Sequence, residues 1–173
     1  MSEKILIAED EAPVRMVLND MLSLGDADYQ IDEAVDGQEA FEKIKAGDYG
    51  ILLSDIMMPR MSGLELLAAV AKDGIRLPII VITGVRDESN VLSCLQSGAW
   101  DYILKPFDID QVRAAVRRAL TVVKNLPGDD NISVVSAGPG WLELTASSEV
   151  EYLHRFRKFT EVLLRAKLDE TDR

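Results

Sequence analysis

Residues 51–59, with the sequence ILLSDIMMP, decide how the rest of this chain is interpreted. An apolar run ends in a single acid, Asp55, and two methionines and a proline follow shortly after it. A short apolar run of this kind is typical of a strand that is buried on both faces, as in a parallel sheet. Asp55 would then lie at the carboxyl end of its strand, where open α/β sheets place their ligand crevices.

Short apolar runs alternate with amphipathic segments on both sides of this stretch. We predict strands at residues 5–8, 29–34, 50–54, 77–83 and 100–104. We predict helices at residues 13–24, 37–46, 63–72, 87–97 and 108–123. Five such strand–helix units predict an α/β fold with a doubly wound, five-stranded parallel sheet and helices on both faces.

Composition and charge narrow the classes of function. The chain has 173 residues, of which 47% are hydrophobic, and a formal net charge of −11. Such a chain can form a core, but it lacks the excess of lysine and arginine that nonspecific nucleic-acid binding requires. Its one cysteine, Cys94, permits no internal disulfide, which favours a reducing, cytoplasmic location. Neither a signal peptide nor an apolar run of about 18 residues that could span a membrane is visible.

Polar side chains follow four of the five predicted strands at the point where each strand ends. They are Glu9 and Asp10, Asp55, Thr83 and Lys105. In a doubly wound sheet these strand ends converge on one edge, where three carboxylates would repel one another. A hard divalent cation with oxygen ligands, such as Mg²⁺, would relieve that repulsion. With a lysine and a hydroxyl beside it, the set predicts phosphoryl transfer to a carboxylate nucleophile.

These residues and their neighbours resemble the receiver domain of two-component response regulators, the CheY-like family. The motifs that carry the resemblance occur in the family's order: Glu9-Asp10, Ser54-Asp55 with Met58-Pro59, Thr83-Gly84 and Lys105-Pro106-Phe107. The resemblance covers about residues 3–124 and implies the flavodoxin-like fold of that family. It also implies a response regulator that accepts a phosphoryl group from a sensor histidine kinase or phosphotransfer protein. Such a protein is a switch and turns over no external substrate.

The resemblance assigns the phosphoacceptor and the Mg²⁺ ligands. Asp55 is the implied phosphoacceptor, Asp10 a direct ligand of Mg²⁺, and Glu9 a residue that acts largely through water. The backbone carbonyl of Met57 would complete the protein ligands. Two features depart from the commonest pattern, since the acidic pair is Glu-Asp and Met57 stands where many members carry a polar residue. Because that position influences attack by water in this family, we expect slow spontaneous loss of phosphate.

The resemblance also implies how the switch works. Thr83 would hydrogen-bond one phosphoryl oxygen and Lys105 would pair with another. Tyr102 matches the family's aromatic switch, which turns inward when the threonine moves. The peptide bond between Lys105 and Pro106 is expected to be cis, as it often is in this family.

Two other classes of α/β protein with polar groups at this edge fit the sequence less well. A haloacid-dehalogenase-type phosphatase needs a second aspartate two residues after its nucleophile, and this chain has Met57 there. A flavodoxin-like flavin binder needs a phosphate loop rich in serine, threonine and glycine after the first strand. The chain instead has Glu9, Asp10 and Glu11, which would repel a phosphate unless a metal intervened.

The residues after the receiver predict an appendage. We expect a receiver domain over 1–124, a linker over 125–140, and a strand with an amphipathic helix over 141–173. Within the linker, residues 132–135 could form a short strand, and residues 137–140 predict a break. The helix begins after a capping-box pattern at Ser148 and Glu151 and has apolar residues at heptad-type spacing. Residues 149–168 would thus form a dimerisation surface or bind a protein output partner.

The function of the tail has a second interpretation. The strand at 141–145 and the helix after it resemble the opening of anti-sigma-factor-type serine kinases of the GHKL ATPase class. Such an effector domain would continue past Arg173, because the chain has neither the nucleotide-binding Asn box nor the Gly-rich lid. Residues 129–135 also faintly resemble the closing strand of metal-dependent serine/threonine phosphatases. Residues 125–173 hold 6 basic against 9 acidic side chains, which argues against DNA binding by the tail.

Overall fold

The structure is a computed structural model of the chain. It describes residues 3–24, 28–84, 94, 97–125, 132–138 and 141–146, with side chains as far as Thr121. Apart from Cys94 and Ser97, the predicted helix at 87–97 lies outside these residues. The predicted helix at 149–168 lies wholly outside them.

Five parallel strands form one sheet in the order β2-β1-β3-β4-β5. The strands are β1 (Glu3–Ala8), β2 (Tyr29–Ala34), β3 (Ile51–Asp55), β4 (Ile79–Thr83) and β5 (Asp101–Leu104). The helices of the described ranges are α1 (Ala12–Ser23), α2 (Gly37–Ala46), α3 (Gly63–Lys72) and α4 (Ile109–Asn125). This architecture confirms the predicted doubly wound, CheY-like fold.

The predicted bounds of β2, α2 and α3 coincide with those of the structure, and the ends of the other elements of this sheet and its described helices differ by at most two residues. β4 begins two residues later than predicted, after Pro78. Proline has no N–H to donate to the ladder, so Pro78 contributes its carbonyl alone, which accepts a bond from the Leu52 N–H at 3.0 Å. α4 begins after Asp108, whose carboxylate accepts the Gln111 N–H at 2.8 Å and caps the helix.

The two faces of the sheet bury separate sets of apolar side chains. Along β3, Leu53 packs with α1 and α4 on one face, and Leu52 packs with α2 and α3 on the other. The same alternation runs through β1, because successive side chains of a strand point to opposite faces. All five residues of β3 are buried, which explains the unbroken apolar run in the sequence. Burial of each such leucine or isoleucine contributes about 2 kcal/mol.

Two further strands, β6 (Ile132–Gly138) and β7 (Trp141–Ala146), pair in an antiparallel ladder. The predicted short strand at 132–135 is therefore too short, and the predicted break at 137–140 is wrong at Ala137 and Gly138. The linker at 125–140 stays a prediction. Ala137 and Gly138 stay in the ladder because they pair with Leu142 and Trp141. The division of the chain into a receiver and a separate tail stays a prediction.

None of the helices described above has the combination of length and apolar content that a bilayer crossing requires.

Candidate functional site

The strand order brings the predicted polar residues to one edge of the sheet. β1 and β3 are neighbours, and Ala8 pairs with Ser54, so Glu9 and Asp55 follow a matched pair of residues. Asp55 itself pairs with Ile82, which places Thr83 one residue further along β4. Thr83 pairs with Leu104, and its carbonyl accepts the Lys105 N–H at 2.8 Å.

Three carboxylates of this edge could share one ion. Glu9, Asp10 and Asp55 each have an oxygen atom that lies within 4.8 Å of an oxygen of the other two. Glu9 is fully buried and Asp55 nearly so, whereas Asp10 is exposed. All the donors are hard carboxylate oxygens, which suit Mg²⁺ or Ca²⁺ better than soft transition metals. The acidic cluster is therefore consistent with a divalent metal site.

Lys105 joins two of these acids. Its Nζ donates to Asp55 Oδ2 at 2.6 Å and to Glu9 Oε2 at 2.8 Å. Three carboxylates and one ammonium carry a formal charge of −2 together. A divalent cation would neutralise that remainder, so the charge balance of the residues also fits such an ion.

Burial and these contacts shift two pKa values. Burial raises the pKa of Glu9 above its ordinary value, the charge of Asp55 adds to this, and the hydrogen bond from Lys105 opposes it. Burial lowers the pKa of Lys105, but the hydrogen bonds to Asp55 and Glu9 outweigh it, so the pKa is raised. Lys105 therefore keeps its positive charge at neutral pH.

The backbone fixes the orientation of Asp55. Its Oδ1 accepts the N–H of Ile56 at 2.6 Å and the N–H of Met57 at 3.3 Å, while Oδ2 faces Lys105. Gly63 packs directly against this residue, because a Cβ at Gly63 would lie 2.1 Å from the Asp55 carbonyl oxygen. Met57 follows in the loop and is 65% exposed. Its carbonyl as a metal ligand stays a prediction.

The predicted switch residues lie on the last two strands of the sheet, β4 and β5. Thr83 is buried at the end of β4, and Tyr102 is half-buried on β5, where it pairs with Val81. Their roles stay predictions. The peptide bond between Lys105 and Pro106 is cis, as expected from the family resemblance.

Sequence reasoning missed an ion pair, Arg15–Glu33, and the hydrogen bonds around it that support the site. Arg15 on α1 donates to the Glu9 carbonyl oxygen at 2.7 Å and to Glu33 Oε2 at 3.0 Å. Glu33 also accepts a bond from the Asn19 side chain at 2.6 Å. Arg15 and Asn19 are four residues apart, so they share a helix face, which is a signal visible in the sequence. That Glu33 lies opposite them depends on the packing of α1 against β2.

The chain is similar to known proteins over this fold. The family described as response regulator receiver domain matches residues 5–117. The chain is 37% identical over 114 residues to the transcriptional regulatory protein DltR of Streptococcus agalactiae serotype III (strain NEM316), which covers 66% of this chain and 50% of that protein. It is also 37% identical over 122 residues to the transcriptional regulatory protein SrrA of Staphylococcus aureus (strain NCTC 8325 / PS 47). That match covers 68% of this chain and 49% of SrrA.

A solved structure matches this chain over about the same share of its length as the sequence relatives do. The crystal structure of FixJ-N superposes with a TM-score of 0.64 at 31% identity, and the match covers 70% of this chain and 95% of that one. The chain spans about half the length of the curated relatives that it matches.

Proposed function

Because this chain belongs to the response regulator receiver family of two-component signalling, we propose that it is a switch in which Asp55 accepts a phosphoryl group. The donor would be the phosphohistidine of a sensor histidine kinase or phosphotransfer protein. The observation that carries this proposal is the contact of Lys105 with Asp55 and Glu9, at 2.6 and 2.8 Å, beside three clustered carboxylates.

The chain's own residues would divide the work of transfer. Asp55 Oδ2 attacks the phosphorus atom, and the P–N bond to the histidine breaks with its electrons passing to the nitrogen. Because the other ring nitrogen already carries a proton, the histidine leaves as neutral imidazole. The N–H groups of Ile56 and Met57 hold Oδ1, so that Oδ2 is the oxygen presented to the donor. Mg²⁺, held by Glu9, Asp10, Asp55 and the Met57 carbonyl, would supply charge neutralisation at the phosphoryl oxygens.

Transfer would exchange a carboxylate for a group of greater charge with three acceptor oxygens. Lys105 would then give up its hydrogen bond to Asp55 and pair with a phosphoryl oxygen, and the Thr83 hydroxyl would donate to another. The movement of Thr83 would let Tyr102 turn inward. The face that contains β5 and α4 would change shape and be read by the tail or by another protein.

The output of the switch is proposed to lie in or beyond the tail. Residues 149–168 would dimerise or bind a protein partner in the cytoplasm when Asp55 is phosphorylated. The alternative is that this receiver belongs to a longer regulator with an effector domain of the GHKL ATPase class. DltR and SrrA are named transcriptional regulatory proteins, and about half of each lies outside the match. A size measurement with and without beryllofluoride distinguishes the two, since a dimer that needs residues 141–168 makes the tail the output.

A small acyl phosphate tests the central claim directly. Incubation with acetyl phosphate and Mg²⁺ should add one phosphoryl group, measured by intact mass. Asp55→Asn should abolish the addition, because the amide is not a nucleophile. The control Asp48→Asn, which changes an exposed acid between α2 and β3, should leave it intact. Addition that persists in Asp55→Asn, or that is unaffected by removal of Mg²⁺, contradicts the proposal.

A further inference from the structure

The loop between β3 and α3, residues 56–62, is held at both ends. At its start, the Asp55 carboxylate accepts the N–H groups of Ile56 and Met57. At its end, the Gly63 N–H donates to the Ile56 carbonyl at 2.9 Å. Met57 itself lies between two buried side chains, those of Ile56 and Met58. The position of its backbone is therefore set by how the whole loop packs.

The far side of this loop is tied to the start of α2. Arg60 Nε donates to Asp36 Oδ2 at 2.5 Å, and its Nη2 contacts the same oxygen. The Gly37 N–H donates to the Met61 carbonyl at 3.1 Å. A Cβ at Gly37 would lie 2.3 Å from that carbonyl oxygen, so the close approach depends on glycine.

Arg60 adopts a backbone conformation that glycine would adopt more easily. Its φ is +63°, in the left-handed region, which costs a residue with a Cβ about 1 kcal/mol. A non-glycine residue persists there where the surrounding structure compensates for the strain. The compensation comes from its side chain, because the guanidinium reaches a carboxylate that is 2% exposed.

Asp36 keeps its charge in this buried position. Burial raises the pKa of Asp36, but the Glu39 N–H and the Arg60 guanidinium outweigh burial, so the pKa lies below its ordinary value. Asp36 is also the N-cap of α2, since its Oδ1 accepts the Glu39 N–H at 2.9 Å. The carboxylate thus has a second partner that remains if Arg60 is replaced, and the fold should survive that change.

We propose that Arg60 and Asp36 form a latch that positions the 56–62 loop for binding of the divalent cation. Both are positioning residues: they hold the backbone that carries Met57 at a fixed distance from Glu9, Asp10 and Asp55. The inference rests on the proposed function, because it takes the acidic cluster as the cation site. It adds a source of cation affinity outside the carboxylates themselves.

Calorimetric titration of the full chain with Mg²⁺ tests the latch. Arg60→Gln removes the ion pair and should weaken Mg²⁺ binding roughly tenfold, the scale on which residues behind metal ligands act. Arg60→Gly should weaken it as well, although glycine relieves the backbone strain and should raise the melting temperature above that of Arg60→Gln. Because the two variants differ in strain and share the lost ion pair, parallel losses of affinity identify the ion pair as the cause.

A matched control exists on the opposite edge of the sheet. Arg118 pairs with Asp101 at 3.3 Å, and Asp101 is as buried as Asp36 but lies at the start of β5. Arg118→Gln therefore removes an arginine from a buried carboxylate at the amino end of β5, the end opposite to Lys105 and the acidic cluster. It should leave Mg²⁺ affinity at the wild-type value. Asp36→Asn, which retains a capping oxygen, should weaken binding, and combining it with Arg60→Gln should add little, since the two share one interaction.

The outcomes separate the latch from the function on which it rests. Wild-type affinity in folded Arg60→Gln and Arg60→Gly overturns the latch and leaves the proposed function standing. An equal loss in Arg118→Gln also overturns it, because the effect would then be one of net charge. A wild-type chain that binds no Mg²⁺ overturns the proposed function and the latch together.

Discussion

Replacing Asp10 by asparagine should stabilise the metal-free protein and remove the stabilisation that Mg²⁺ confers. Asp10 is exposed, and its carboxylate lies within 4.8 Å of those of Glu9 and Asp55. Lys105 contacts the other two acids, so the charge of Asp10 is the one that the ammonium compensates least. Asparagine keeps the shape of the side chain while removing that charge.

The size of the effect follows from Coulomb's law. Two unit charges 4.8 Å apart repel by about 0.9 kcal/mol in water and about 3.5 kcal/mol at an effective dielectric constant of 20. Because Asp10 is exposed, the value for water is the better guide for each of its two repulsions. Attraction to Lys105 offsets part of the sum, which leaves about 1 kcal/mol. For a chain of this length that corresponds to a rise in melting temperature of about 3 °C.

Thermal unfolding followed by circular dichroism measures this, first in chelator and then with increasing Mg²⁺. In chelator, Asp10→Asn should melt above the wild type. With Mg²⁺, the wild type should gain stability in proportion to the logarithm of the ion concentration, and the variant should gain much less. Asp48→Asn controls for the loss of an exposed acid elsewhere. A variant that melts at or below the wild type in chelator would refute the electrostatic reasoning.

Three further predictions concern neighbouring residues. Met57→Asn should shorten the lifetime of the phosphorylated form, because an amide can hydrogen-bond an attacking water. A half-life of seconds for the phosphorylated wild type in Mg²⁺ would contradict the slow loss of phosphate expected from Met57. Gly63→Ala should lower the free energy of unfolding, measured in urea, by about 2 to 3 kcal/mol, because the added Cβ would clash with the Asp55 carbonyl oxygen. The control Gly84→Ala should change it little, because a Cβ at Gly84 has no atom within 4 Å. Asp36 has a lowered pKa, so its stabilisation is full above the ordinary value of 3.8 and is lost as pH falls through the lowered value. The stability difference between wild type and Asp36→Asn should therefore shrink in acid, and a constant difference would disprove the shift.

The sequence predicts the sheet and the acidic cluster because both follow from short-range rules. Buried parallel strands are continuous apolar runs, as in β3, and parallel strands end at one edge, which brings Asp55 to Glu9. The latch follows from no such rule. Arg60 resembles an ordinary surface arginine after a proline, and Asp36 an ordinary helix cap. Their pairing depends on a left-handed residue and on how the 56–62 loop approaches α2.

The ladder of β6 and β7 shows a different error, in which the sequence predicted a break where the structure has a strand. Ala137 and Gly138 have low strand propensity and precede Pro139, so local propensity predicts a break there. Their pairing partners, Leu142 and Trp141, lie only a few residues further along the chain. Backbone pairing in the antiparallel ladder therefore outweighs the low strand propensity of these two residues.

The position of Lys105 in the chain has a consequence for synthesis. It contacts acids that precede it by 96 and 50 residues, and the strand that it directly follows, β5, is the last of the five and lies at the edge of the sheet. The ribosome therefore exposes Glu9 and Asp55, at the carboxyl ends of the adjacent strands β1 and β3, well before the lysine that joins them. Docking of β5 needs no rearrangement of the earlier strands, because it adds at the edge. The last strand and the internal counter-ion of these acids are therefore supplied together, and an intermediate in which β1 and β3 pair before β5 would hold Glu9 and Asp55 close to each other without the ammonium.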